Sequence, residues 1–129
     1  MTDRPRWRVR LAAAAEADFR EILRWTQERF GEARARVYAD TLSEAIAALA
    51  GGPRIPGAKA RDDIAKGLFA LHVARSGRKG RHFVMYRVGT PVNPPVIDVL
   101  RLLHDAMDLP RHLPSPPSPG EDVTSAGRR

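Results

Sequence analysis

Residues Trp7 to Leu11 read WRVRL, with apolar and charged side chains in alternation, and a period of two marks a strand with one face covered. A short edge strand is predicted there. From Ala12 the period changes. Phe19, Ile22, Leu23, Thr26 and Phe30 recur at three- and four-residue intervals, while Glu16, Asp18, Arg20, Glu21, Arg24 and Glu28 mostly fill the other directions, which predicts an amphipathic helix. Gly31 stands where a helix C-cap falls, and Glu32 where a helix N-terminus favours an acid. The next stripe, Tyr38, Leu42, Ala45, Ile46 and Leu49, predicts a second helix, ended by Gly51, Gly52 and Pro53. Two helices joined this tightly are expected to form an antiparallel hairpin, with Phe19, Ile22, Leu23, Phe30, Tyr38, Leu42 and Leu49 in the core. Trp25 falls beside the first stripe and is assigned to the hairpin's edge or to a partner.

Ile55 to Lys66 has no clean period and reads as a loop crossing to a sheet. Three strands are predicted beyond it, Gly67 to Ala74, His82 to Val88 and Val96 to Leu103, with turn residues between them, and an antiparallel meander is the simplest connection. In the middle strand Phe83 and Met85 face one way and Val84, Tyr86 and Val88 the other, so both faces of the sheet carry apolar surface. The hairpin covers one. The other calls for further cover from the chain itself or from a partner. After Leu103, HDAMDLPRHL reads as a short turn or helical piece, and the proline- and serine-rich stretch from Pro114 is expected to be disordered. The expected fold is therefore α+β: an N-terminal strand and an antiparallel two-helix hairpin on a small antiparallel sheet, residues 1–113 forming one domain and 114–129 a tail.

Composition narrows the classes of function. The chain has 129 residues, which suits one domain, and no cysteine, which excludes disulfides and thiolate metal sites. His72, His82, His104 and His112 are too scattered to make a metal signature, and neither a metal nor another cofactor is expected. No run approaches the roughly 18 apolar residues of a membrane span and Met1 to Arg10 lacks the core of a signal peptide, so a cytoplasmic protein without a membrane partner is expected. The formal charge is +7, and because Glu121 and Asp122 offset Arg128 and Arg129, all of it belongs to the first 113 residues. Such a domain attracts polyanions or acidic protein surfaces, with salt-sensitive association.

Three segments give the pattern a family. YADTLSEAIAALAGGPRIPG (Tyr38 to Gly57), GRHFVMYRV (Gly80 to Val88) and VIDVLRLLHDAMDLPRHL (Val96 to Leu113) resemble the corresponding segments of the RelE/ParE superfamily of toxins from type II toxin–antitoxin systems, and of its ParE branch in particular. The last is the most specific, with His104, Met107-Asp108 and Arg111-His112 at the characteristic spacing. The resemblance covers nearly all of Trp7 to Leu113. It implies a toxin held inactive by a cognate antitoxin of ParD type, the two chains assembling as a hetero-oligomer. ParE-like members inhibit DNA gyrase; RelE-like members cut messenger RNA on the ribosome. The shared fold does not choose between them.

For the nuclease reading, cleavage by a 2′-hydroxyl needs a proton acceptor, cations on the phosphate and an acid for the leaving oxygen, roles open to Arg81, His82, Tyr86, Arg101 and His104. Strand parity does not gather these on one face. The last strand offers only Arg101, and arginine outnumbers lysine 19 to 3, whereas RelE-like nucleases present several cations and a late tyrosine or histidine. The leading expectation is a non-enzymatic gyrase inhibitor with no catalytic residues; a RelE-like ribonuclease and a non-toxic binding module are the alternatives. Direct contact with nucleic acid is expected only for the ribonuclease. The target surface is assigned to Arg101, His104, Arg111 and His112 at the end of the last strand, and the antitoxin surface to Arg24, Trp25, Arg34 and Arg36 on the hairpin.

Overall fold

The computed structural model describes residues 6–89 and 95–106. Strand β1 (Arg8–Leu11) leads into helices α1 (Ala13–Phe30) and α2 (Glu32–Ala48), a single 3-10 turn (Leu49–Gly51), and then strands β2 (Lys59–Ala60), β3 (Phe69–His72), β4 (His82–Val88) and β5 (Val96–His104). One residue links the helices. Gly31 adopts φ 96°, a conformation that costs a residue with a side chain about 1 kcal/mol or more, and this lets the chain reverse within a single step.

The strands form one sheet in the order β1-β5-β4-β3-β2. Strands β2 to β5 pair antiparallel, as the meander predicts, and β1 adds to the far edge of β5 in parallel, Arg8 beside Val96 and Leu11 beside Val99. Alternation along WRVRL identifies a half-covered strand but carries no information about the direction of its neighbour. The two-residue β2 lies inside the segment read as a loop; Lys59 and Ala60 pair with Ala70 and Phe69 without any periodic signal of their own.

The hairpin covers one face of the sheet, where Leu42 and Leu49 meet Leu71, Val84, Tyr86, Ile97 and Val99, all buried. Burying one such aliphatic side chain is worth about 1.5–3 kcal/mol, so this interface supplies much of the stability. Phe30 corrects the predicted core: it is 56% exposed, because it ends α1 at the turn of the hairpin, where the sheet no longer lies beneath it. On the opposite face Met85 and Leu103 are buried with Leu68 and Ala70, and Ile64 and Ala65 pack over them. The second apolar face is thus covered at one end by the chain itself.

A bulge interrupts β5. Met85 pairs with Arg101 and Tyr86 with Val99, which leaves Leu100 as the extra residue. The shift brings Leu102 onto the same face as Ile97 and Val99 although the spacing is odd. The closing segment from Met107 and the tail lie outside the described residues.

Candidate functional site

The turn end of the hairpin meets the start of β4 and the end of β5. Contact begins at Gly80, where a Cβ would fall 2.5 Å from Val73 and 2.9 Å from the Tyr38 ring and hydroxyl, so only glycine lets α2 approach this closely. The Tyr38 hydroxyl accepts the Arg81 backbone N–H at 3.0 Å and lies 2.7 Å from His82 Nδ1. The hydroxyl donates to Nδ1 when the His82 proton sits on Nε2 and accepts from it when the proton sits on Nδ1. Burial, reinforced by the neighbouring His104, pushes His82 down to about 4, so the ring is neutral at physiological pH. The two imidazoles stand edge to face, 5.2 Å apart.

Asp105 ties the next layer together. It accepts from Arg81 Nε at 3.1 Å and faces His72 Nε2 at 2.9 Å, and these two partners hold its carboxyl down at about 2. His72 Nδ1 accepts the Ala74 N–H, so the proton that His72 offers Asp105 sits on Nε2. On the other side of the strand end, Asp18 of α1 receives Arg101 through two bonds of 2.7 and 3.0 Å and also accepts the Leu102 N–H at 3.0 Å. That amide lies just past the bulge, where the side chain stands in for a strand partner.

Beside this network lies an open cleft of about 670 Å³, walled by Trp25, Phe30 and Tyr38 and rimmed by Arg34, Lys79 and Arg81. A second depression continues it past Val37 and Thr41. Trp25, Phe30 and Val37 are each half or more exposed. Trp25 packs edge-on against Phe30 with centroids 5.9 Å apart, and the Arg29 guanidinium sits 5.0 Å over its ring. Apolar side chains left open within a cationic rim have the composition of a protein-docking surface.

Of the five nuclease candidates, Arg81, His82 and His104 come together here. Tyr86 does not: it is fully buried, stacked on Phe69, and donates its hydroxyl to the Pro53 carbonyl, with burial raising its pKa to about 12. Arg101 points its guanidinium to Asp18. Of the residues assigned to a target surface, His104 lines the cleft and accepts the Ala106 N–H, while Arg111 and His112 lie outside the described residues. Of those assigned to an antitoxin surface, Trp25 and Arg34 line the cleft; Arg24 and Arg36 form exposed intrahelical pairs with Glu21 and Glu32. Among the described residues no three histidines or acids converge as a metal site requires, and none of the helices is long and apolar enough to cross a membrane.

The model of the ParE toxin of type II toxin–antitoxin systems (parDE) matches residues 9–109. The chain belongs to the ParE toxin family. Toxin ParE1 of Mycobacterium tuberculosis is 37% identical over 106 residues, covering 82% of this chain and 97% of that one. Toxin ParE of Escherichia coli is 36% identical over 101 residues, covering 77% and 85%. A solved structure, the YoeB/ParE toxin from Agrobacterium tumefaciens, covers 75% of this chain and 96% of its own with a TM-score of 0.49 at 15% identity.

Four polar residues of this candidate site have little signature in the sequence. Tyr38 falls in an apolar stripe, Asp18 falls among solvent-facing charges, and neither His72 nor Asp105 is among the residues that define a motif. Only Asp105 had a local signal, its position directly after His104 at a strand end. The others are joined by contacts across 33 to 84 residues of sequence, which periodicity does not register.

Proposed function

We propose that this ParE-family toxin acts as a non-enzymatic inhibitor of DNA gyrase and is neutralised by a ParD-like antitoxin that occupies the cleft at the turn end of the hairpin. The observation that carries the reading is the pairing of exposed Trp25, Phe30 and Val37 with Arg34 and Lys79, which suits an amphipathic acidic segment. Arg24 and Arg36, each offset by an intrahelical glutamate, lie farther along the helices and would meet the antitoxin by exchanging these partners. The target would be met by the end of β5, with His104, Arg101 on its Asp18 support, and Arg111 and His112 beyond it.

The acid–base chemistry favours inhibition by binding over RNA cleavage. A histidine at about 4 is a weak proton acceptor at neutral pH, and a tyrosine buried against a carbonyl has no route to a substrate. The arginines near His82 are already committed to carboxylates. Inducing the toxin alone tests the reading. Growth arrest with a DNA-damage response and altered plasmid supercoiling, relieved by co-expressed antitoxin, is the expected outcome. Rapid cleavage of ribosome-bound transcripts would instead establish a ribonuclease, and unaffected growth a non-toxic binding module.

A further inference from the structure

The face of the sheet turned away from the hairpin carries a second charged surface. Val9 and Leu11 of β1, Ile97 and Val99 of β5 and Tyr86 of β4 all join the core under the helices, so the residues that alternate with them point the opposite way. These are Arg8 and Arg10, Asp98, and Arg87. Register places Arg10 and Arg87 on either side of Asp98, and Arg8 two residues along from Arg10. Arg10 binds Asp98 with its Nε at 2.8 Å and its Nη2 at 3.2 Å. Arg8 and Arg87 are exposed and make no ion pair with the described residues. Three guanidinium groups thus surround one carboxylate, which contacts Arg10.

Strand geometry sets the spacing. Arg8 and Arg10 are separated by about 6.6 Å along β1, and Arg10 and Arg87 by about 10 Å across β5. The layer that buries Met85 and Leu103 lies at the other end of this face and leaves the arginine row open. Unlike the cleft, the row has among the described residues no exposed aromatic or large aliphatic side chain within it; Val88, exposed nearby, alternates to the hairpin side. Protein interfaces depend on buried apolar anchors, whereas phosphodiester backbones are bound by flat, cationic, arginine-rich surfaces.

We propose that Arg8, Arg10 and Arg87 form a binding surface for the phosphodiester backbone of nucleic acid, read without regard to sequence and separate from the cleft. This departs from the expectation that nucleic acid would matter only for a ribonuclease. Asp98 moderates the surface by holding Arg10 and offsetting one charge. The hairpin and cleft lie on the opposite layer, so both surfaces can be occupied at once.

Fluorescence anisotropy of the full chain with labelled duplex DNA of arbitrary sequence tests the proposal. With two to three phosphates neutralised, affinity should fall about ten- to fortyfold between 50 and 200 mM salt. Arg8→Glu or Arg87→Glu should each weaken binding about tenfold and flatten the salt dependence. Arg20→Glu, an equal charge change on the exposed face of α1, should leave the affinity within about twofold. Asp98→Asn should act in the opposite direction and tighten binding about two- to fivefold, which a misfolded protein would not do. Single-stranded and duplex RNA in parallel titrations identify which nucleic acid is preferred. The proposal is overturned if the Arg20 variant loses as much affinity as the Arg8 and Arg87 variants, if Asp98→Asn fails to tighten binding, or if polyglutamate competes as well as DNA per unit charge.

Discussion

Lowering the pH from 7 to 5 should weaken the fold through His82. In the folded chain this ring titrates near 4 against an ordinary 6.5, so between those values the unfolded chain binds more protons and stability rises with pH. The contribution is fully present above 6.5, falls as the pH drops toward 4, and changes no further below that. Linkage over the interval from pH 7 to 5 gives about 2 kcal/mol without screening, and partial solvent access to the ring reduces this to about 1 kcal/mol. Asp105 does not interfere. Its carboxyl is depressed from 3.8 to about 2, so its contribution is intact above 3.8 and is lost only at lower pH. The assay is urea unfolding at pH 7 and pH 5 for the wild type and His82→Gln. The wild type should lose about 1 kcal/mol more than the variant over this interval, and NMR of the His82 ring should give a midpoint near 4. An equal loss in both proteins, or a midpoint at or above 6, would refute the account of a neutral, buried ring held by Tyr38.

Leu42→Ala should cost about 2–5 kcal/mol by thermal or urea unfolding, because Leu42 is fully buried between hairpin and sheet. Tyr86→Phe should cost about 1 kcal/mol through the unpaired Pro53 carbonyl, while growth arrest on induction persists; loss of arrest in a folded variant would return Tyr86 to the functional site. Asp18→Ala should destabilise by about 1–3 kcal/mol, since it strands the Leu102 N–H beside the bulge and the Arg101 guanidinium, and an unchanged unfolding midpoint would show that water replaces the carboxylate. Deletion of residues 115–129 should leave both the melting temperature and antitoxin affinity unchanged, since so proline- and serine-rich a segment has little apolar surface to bury; a marked drop in melting temperature would show that it docks on the domain.

The elements that repeat a regular apolar period were legible in the chain itself. Phe19, Ile22 and Leu23 mark α1, Leu42 and Ala45 mark α2, and the alternation of Val84, Met85 and Tyr86 marks a strand with two apolar faces, because side-chain geometry converts spacing directly into direction. Gly31 likewise announced the reversal between the helices. The family was legible too, in the segments around Tyr38, His82 and His104. What the period did not carry was anything dependent on a distant neighbour. The parallel docking of β1 on β5, the two-residue β2 and the bulge at Leu100 follow from pairing rather than pattern. Phe30 obeys the helical stripe yet stands exposed, because burial needs a partner surface as well as a direction. Tyr38 obeys it too, but the space over Gly80 turns its hydroxyl into the link between α2 and His82. Asp18 and Asp105 read as ordinary surface acids in sequence and became the acceptors that hold Arg101, Arg81 and His72. Hydrogen bonds and ion pairs are short-ranged in space and unrestricted in sequence separation, so the site is a property of the tertiary structure, while the elements that frame it are properties of the chain.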